Sequence, residues 1–228
     1  MARFIFIIGL CKAGTTHAFR VLGSSNDVCS SKLKESRYFI SYSHFLPKFY
    51  GNVYDLWSQK DKRYYLEATP ELIDDYKGLE RLKEFVDNNE HEAHIVVINR
   101  PKNERVTSWF RFLSRKKYYK GSYENFLLSL ESKSFKKRLN FLNYQFRFDR
   151  IEDYKIEEFF KSSRFEVHLL QSSTLNYDLI DLSGKLGIEC DIETVASNRS
   201  EDVKYSDIYW LEYWRILLKI LFVKMRLL

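Results

Sequence analysis

The chain has 228 residues, of which 45% are hydrophobic and 17% aromatic, and it carries a formal net charge of +6. This length and composition can build one domain with a full hydrophobic core, and eight glycines and three prolines leave no flexible linker or repeat. The positive charge favours a polyanionic partner. Nucleic acid is not expected to be that partner, because the sequence has no zinc-finger, RRM or basic-zipper pattern.

Cysteine and histidine usage indicates the compartment and the metal chemistry. The three cysteines are an odd number without metal-ligand spacing, which predicts a reducing compartment and no disulfide framework. The apolar run 4–8 is too short for the core of a signal peptide, so the chain is expected to be cytoplasmic. His44, His91, His94 and His168 have no mutual ligand spacing, and no metal site is predicted.

The first predicted element is a buried strand at 4–8, followed by a loop that contains two glycines, one lysine and two hydroxyls. Thr15 and Thr16 lie where a helix would begin, so the amides of residues 13–16 are expected to converge on an anion. A Walker A loop would need its lysine directly after the second glycine. Here Lys12 precedes Gly14, and Thr15 occupies the lysine position. The loop therefore predicts a phosphorylated ligand, and it lacks the key cation of a kinase.

A second candidate site follows the predicted strand 94–99. Arg100 comes directly after this strand, and Ser108 lies eight positions further on, about two turns into the next predicted helix. The guanidinium and the hydroxyl can then meet on one side, which suits a phosphate monoester.

The remaining periodicity predicts an α/β fold with a parallel sheet flanked by helices on both faces. Strands are expected near 4–8, 64–68, 94–99 and 165–170, and helices around 79–86, 106–113, 123–130 and 175–186. Ligands of such sheets bind at the carboxyl ends of the strands, and both candidate phosphate sites follow strands.

The C-terminal segment 208–228 has a broad apolar stripe opposite a charged face, so it is predicted to be an amphipathic helix rather than a membrane span. We expect a domain at 1–205 and this helix at 206–228, packed on the domain. Contact with a membrane surface, which would make the protein peripheral, and homodimerisation are the alternatives.

The motifs resemble those of sulfotransferases that use 3′-phosphoadenosine 5′-phosphosulfate (PAPS). Lys12-Ala13-Gly14-Thr15-Thr16 is similar to the loop that binds the 5′-phosphosulfate, commonly Lys-[Ser/Gly/Ala]-Gly-Thr-[Thr/Ser]. The pair Arg100 and Ser108 resembles the motif for the 3′-phosphate. In the family the proline usually stands two positions after the arginine, whereas Pro101 follows immediately here.

Two segments resemble the heparan-sulfate type of this family. Residues 34–39 are similar to Lys-Glu-Pro-x-[Phe/Tyr]-Phe, with Ser36 in place of the proline, which implies that Glu35 deprotonates the acceptor. Residues 65–72 are similar to the acceptor-cleft segment Glu-Lys-[Thr/Ser]-Pro-x-Tyr, with Ala68 in place of the lysine. The segment around Arg199 resembles a loop that closes over the nucleotide in bacterial members.

The resemblance implies a P-loop-like sulfotransferase fold and transfer of a sulfuryl group from PAPS to a hydroxyl of a carbohydrate or glycolipid, without a metal. Glu35 and Lys12 would be catalytic, and His17 is the alternative base. The residues implied to bind PAPS are Lys12, Ala13, Gly14, Thr15, Thr16, Arg100, Ser108 and Arg199. Two other functions stay open, namely a P-loop-like nucleotide-dependent kinase and a non-catalytic binder of anionic glycan or membrane.

Overall fold

A computed structural model of the protein describes residues 1–40, 52–59, 61–115, 117, 119–131 and 153–192. The predicted domain boundary at 205, the segment 208–228 and Arg199 lie outside these residues and stay predictions. Within the described part of the chain, no helix is both long and apolar enough to cross a membrane.

The core of the fold is a five-stranded sheet in which every pair of neighbouring strands is parallel. The four predicted strands are confirmed, and a short edge strand, β2, was not predicted. The strands lie in the order β2-β3-β1-β4-β5. Their bounds are β1 Arg3–Gly9, β2 Val28–Ser30, β3 Tyr64–Ala68, β4 Glu92–Asn99 and β5 Phe165–Gln171.

Helices connect and flank these strands, as expected for parallel β-α-β connections. All four predicted helices are confirmed. Three of them extend beyond their predicted bounds, and the helix at 175–186 has the bounds predicted. The described helices are α1 Thr15–Leu22, α2 Tyr76–Asn88, α3 Lys102–Arg115, α4 Tyr123–Glu131, α5 Asp153–Phe159 and α6 Leu175–Leu186, with short 3-10 helices at Val53–Leu56 and Pro70–Asp74.

Strand β1 is the centre of the hydrophobic core. Residues 4–8 have no exposed surface, which explains why they read as a continuous apolar run rather than as an alternating one. The rings of Phe4 and Phe6 stack with centroids 5.5 Å apart, and Phe85 of α2 contacts Phe4 edge-on at 5.3 Å. Both neighbours of β1, β3 and β4, are hydrogen-bonded to it. The end of β1 is therefore held on both sides.

The strand order creates a crevice at the carboxyl ends of β1 and β4. The chain runs from β1 outward to β2 and β3 and then crosses to β4 on the other side of β1. Such a switch point is where open α/β sheets bind ligands. The loop after β1, residues 10–14, is held against this crevice because the Leu10 amide donates a hydrogen bond to the Ile98 carbonyl at 3.0 Å.

Gly14 ends this loop in a conformation that other residues rarely adopt. Its φ is 108° and it is the N-cap of α1. A Cβ at Gly14 would lie 2.7 Å from Cδ2 of Leu175, the first residue of α6. The position therefore excludes side chains for both backbone and packing reasons.

We expect Gly14→Ala to lower the free energy of unfolding by roughly 1–3 kcal/mol, the usual cost of a strained backbone position. Gly184→Ala is the matched control, because Gly184 lies inside α6 with open space around its Cα. That change should raise stability by about 0.5–1 kcal/mol. Urea denaturation of the two variants checks this, and a Gly14→Ala protein as stable as the wild type would contradict it.

Candidate functional site

A cationic cleft of about 450 Å³ lies at the crevice between β1 and β4. Four basic side chains and one carboxylate line it, so the cleft is suited to an anionic ligand. The lining residues are Lys12, Arg100, Asn103, Glu104, Thr107, Ser108, Arg111, Phe112 and Arg115. Lys12 comes from the β1–α1 loop, Arg100 from the end of β4, and the others from α3.

Among the residues that the structure describes, no side chain caps the N-terminus of α1. Its N-cap is Gly14, which has no side chain to accept from the first amides, and the first turn contains no acidic residue. The amides of Thr15, Thr16 and His17 therefore lack intrahelical partners and are available to an anion. The Ala13 amide differs from the expectation for residues 13–16, because it donates to the Leu10 carbonyl at 3.2 Å. The available amides thus begin at Gly14.

The side chain of Lys12 is held by aromatic rings of α3 rather than by a carboxylate. Its Nζ lies 4.5 Å from the ring centroid of Phe112 and 5.9 Å from that of Trp109, within the range of cation–π attraction. Burial, and after it the charge of Arg115, lowers the pKa of Lys12. No carboxylate of the described residues forms an ion pair with Lys12, so an anion in the cleft would stabilise its positive charge.

Arg100 and Ser108, which the sequence paired across eight positions, line the same cleft as Lys12. Arg100 Nη1 donates to the Lys12 carbonyl at 2.9 Å, and Nε donates to Glu104 Oε2 at 3.1 Å. The first bond fixes the guanidinium against the β1–α1 loop. The second is a half-exposed i,i+4 ion pair that a stronger anion can replace.

Glu35 lies in a network of charged side chains in the loop after β2. Lys34 Nζ is 2.9 Å from Glu35 Oε1, and Arg37 Nη2 is 3.8 Å from Glu35 Oε2 and 2.7 Å from Glu71 Oε1. The Glu35 side chain is 28% exposed, so an acceptor can reach it. Its charge also acts on Lys12, whose pKa it raises against the larger effect of burial. Glu35 and Lys12 therefore belong to one electrostatic neighbourhood.

A buried carboxyl on β3, Glu67, anchors the Glu35 loop. Glu67 is the glutamate of the segment that resembles the family's acceptor-cleft motif, but the sequence alone assigned it no role. Glu67 Oε1 accepts hydrogen bonds from the Ser36 amide at 3.1 Å, the Ser36 hydroxyl at 2.8 Å and the Thr69 hydroxyl at 2.6 Å. Burial raises the pKa of Glu67 to about 7. Ser36, which stands where the family segment has a proline, is thus the anchor point. The signals in the sequence were the acceptor-cleft motif and the presence of an acid inside a predicted buried strand.

His17, the alternative base, is already engaged with α6. Its Nε2 lies 2.7 Å from Oδ1 of Asn176, a hydrogen bond in which the ring nitrogen donates. This contact holds the imidazole toward α6 at the start of α1. The Glu35 carboxylate is instead paired with the cationic side chains of Lys34 and Arg37.

Comparison with known proteins supports the fold. No protein-family model matches the sequence, and no curated protein matches it. The structure is similar to the crystal structure of a sulfotransferase from Alicyclobacillus acidocaldarius, with a TM-score of 0.65 and 18% sequence identity over 88% of this chain and 86% of that chain. The predicted P-loop-like sulfotransferase fold is confirmed. The use of PAPS, the carbohydrate type and the roles of the site residues stay predictions.

The raised pKa of Glu67 predicts how stability depends on pH. Its folded-state pKa of about 7 lies above the ordinary value of 4.5, so the folded protein binds this proton more tightly than the unfolded chain does. The resulting stability is full below pH 4.5 and is lost as the pH rises through about 7. Relative to Glu67→Gln, which mimics the protonated carboxyl, the wild type should lose on the order of 3 kcal/mol of unfolding free energy over this window.

Urea denaturation at a series of pH values measures this difference. Glu80→Gln is the matched control, since Glu80 is an exposed glutamate on α2. The unfolding free energy of this variant should follow that of the wild type across the whole pH range. Parallel curves for the wild type and Glu67→Gln would contradict the assignment of a proton to Glu67.

Proposed function

We propose that the protein is a sulfotransferase that uses PAPS to sulfate a hydroxyl of a carbohydrate or glycolipid. The observation that carries this proposal is that two anion-binding groups are joined through Lys12, which lines the cationic cleft and precedes the start of α1 in the chain. One is the uncapped start of α1 together with Lys12, and the other is the pair Arg100 and Ser108. A nucleotide with anionic groups at both its 5′ and 3′ positions needs two such groups. The sulfotransferase fold supports the reaction class.

The residues present fit such a nucleotide. In the proposed complex, Lys12 and the amides and hydroxyls of Thr15 and Thr16 hold the 5′ end, because they lie in the loop after β1 and at the start of α1. Gly14 contributes the left-handed backbone conformation at the start of α1, where a side chain would meet Leu175. Arg100 and Ser108 hold the 3′-phosphate. The hydrogen bond from Arg100 to the Lys12 carbonyl fixes the position of this phosphate site relative to the β1–α1 loop.

In this proposal the chain's own residues act by charge stabilisation and proton transfer. When bound, PAPS supplies a sulfuryl group attached to a phosphate leaving group. As the bond from the acceptor oxygen to sulfur forms and the bond from sulfur to the phosphate oxygen breaks, negative charge grows on the leaving phosphate. Lys12 and the α1 amides stabilise that charge. Glu35 takes the proton of the acceptor hydroxyl. The scheme uses no metal ion, because Lys12 and the amides supply the positive charge.

The acceptor side of the proposal depends on the neighbours of Glu35. Lys34 and Arg37 flank the carboxylate, keep it oriented and offer donors to hydroxyl or anionic groups of a glycan. Ala68 cannot supply the lysine contact of the family's acceptor segment. We propose a cytoplasmic protein, and a lipid-linked acceptor would bring it to a membrane surface through the segment 208–228.

The residues at the end of β4 disfavour a kinase. Kinases of the P-loop class hold Mg²⁺ with an acidic residue at a neighbouring strand end. Here β4 ends at Asn99 and continues into Arg100. Nucleotide preference separates the two functions, because a kinase should prefer ATP with Mg²⁺ over 3′,5′-diphosphoadenosine.

Lys12→Ala should abolish sulfuryl transfer while the protein stays folded. Losing a charge-assisted contact to the leaving phosphate in a partly desolvated site costs roughly 3 kcal/mol or more, which is a rate loss of about a hundredfold. Transfer from radiolabelled PAPS to a panel of glycans, glycolipids and small phenols measures it. A folded Lys12→Ala protein with wild-type turnover would refute the assignment of the loop.

One control variant makes this test specific. Lys161→Ala removes an exposed lysine beside the start of β5, at the opposite end of the sheet, and should leave turnover unchanged.

Ser108→Ala should weaken binding of 3′,5′-diphosphoadenosine in calorimetry but barely alter binding of adenosine 5′-phosphosulfate, which has no 3′-phosphate. Equal losses for both nucleotides would show that Ser108 does not contact the 3′-phosphate.

Glu35→Gln should lower the transfer rate by about 10² to 10⁴ with little change in nucleotide affinity, because a general base acts only in the chemical step. Glu71→Gln is the matched control, since Glu71 shares Arg37 with Glu35 but has no proposed role in proton transfer. Its effect should be much smaller. If Glu35→Gln keeps near-normal turnover and His17→Ala does not, the base is His17.

A further inference from the structure

A second cluster of chemically versatile side chains lies on the sheet, outside the cleft. His94 is on β4, and Glu166 and His168 are on β5. The strand register places His94 beside Glu166 and Val96 beside His168, so the three side chains share one face. Their ligand atoms all lie within 4.8 Å of one another. Because 74 positions separate the two histidines, their spacing in the sequence showed no pattern, and only the pairing of β4 with β5 joins them.

We propose that His94, Glu166 and His168 bind one divalent transition-metal ion of the Zn²⁺ class. His94 Nδ1 lies 3.1 Å from His168 Nε2 and 3.4 Å from Glu166 Oε2, and His168 Nε2 lies 3.8 Å from Glu166 Oε1. Tetrahedral zinc with bonds of about 2.0–2.1 Å holds its ligand atoms about 3.3 Å apart. The observed distances bracket that value, but the two distances to Glu166 involve different carboxylate oxygens. Rotation of the exposed Glu166 side chain is therefore needed to bring one oxygen within reach of an ion held by both rings.

The donor set selects the class of metal. Two imidazole nitrogens and one carboxylate oxygen suit Zn²⁺, Co²⁺, Ni²⁺ or Cu²⁺, whereas Mg²⁺ and Ca²⁺ require oxygen ligands. The side chain of Glu166 is 59% exposed, so solvent can supply the fourth ligand and the ion can enter. Lys185, whose charge acts on His168, is paired with Asp181 at 2.9 Å and is therefore compensated locally.

The protonation states of the two rings are compatible with metal binding. Burial lowers the pKa of both histidines, that of His168 to about 4, so both are neutral at neutral pH. Without a metal, one ring nitrogen donates to the other across the 3.1 Å contact. The metal takes the place of that shared proton, which moves to the far nitrogen of the same ring, and no net proton release is needed.

The site would cross-link β4 and β5 far from the cleft. His94 lies five positions before Asn99 on β4, which is about 16 Å along a strand. A metal here acts on the stability of the sheet edge and contacts none of the residues assigned to transfer. The proposal is therefore independent of the proposed function.

The test uses the full chain without an affinity tag. Titration calorimetry with Zn²⁺ should give one site per chain, Co²⁺ should give the visible absorption of tetrahedral coordination, and Zn²⁺ should raise the melting temperature by several degrees. His94→Ala and His168→Ala should bind Zn²⁺ at least about tenfold more weakly, since even indirect partners of zinc ligands contribute about 10–100-fold. Both should also lose the zinc-dependent rise in melting temperature.

Two further variants keep the result interpretable. Glu166→Gln changes an exposed side chain, so it cannot disrupt the core, and it should also weaken binding. His91→Ala is the matched control, because His91 is a buried histidine whose Nε2 contacts the Tyr54 hydroxyl at 2.7 Å rather than a carboxylate, and it should keep wild-type zinc affinity. No Zn²⁺ binding by the wild type, or wild-type zinc affinity in both Glu166→Gln and His168→Ala, would overturn the proposal.

Discussion

The hydrogen bond from the Leu10 amide to the Ile98 carbonyl joins the two strand ends on which the candidate site depends. Strand β1 is buried on both faces, so its carboxyl end has no freedom to move relative to the sheet. The bond extends that rigidity into the β1–α1 loop. The second tie, from Arg100 to the Lys12 carbonyl, uses a side chain of the β4 end to hold the same loop. Preorganised cations of this kind need no rearrangement when charge develops.

The other half of the site depends on a buried polar contact rather than on strand pairing. Glu67 Oε1 accepts hydrogen bonds from the Ser36 amide and from two hydroxyls. These bonds attach the Glu35 loop to the end of β3. Burying a carboxyl is costly unless its hydrogen bonds are satisfied. Three donors at Oε1 offset that cost. The site thus has a cationic cleft at β1 and β4 and an acidic flank at β3, and the charge of Glu35 favours the charged form of Lys12.

Elements with a strong local pattern could be predicted from the sequence, and contacts made only by folding could not. The buried runs around 4–8 and 94–99 predict strands because parallel strands covered on both faces are apolar throughout. Strand β2 was missed because it has three residues and is polar at Ser30, so it has no readable period. Arg100 and Ser108 line one cleft, and their spacing of eight positions from a strand end into a helix is a local pattern that the sequence shows. The pairing of His94 with His168 depends on sheet register, which no local pattern encodes.

The contact of Leu175 with Gly14 affects the order in which parts of the protein fold during synthesis. Leu175 and Asn176, at the start of α6, pack against and bond to the beginning of α1, and the bond from His17 to Asn176 spans 159 positions. A ribosome synthesises the chain from the N-terminus, so the β1–α1 loop emerges long before the residues that complete its packing. The β1–α1 loop thus reaches its native environment only after the later elements β5 and α6 have been made. Ligand that binds this loop would select chains in which β5 and α6 have already docked, and a truncated chain lacking α6 would not retain it.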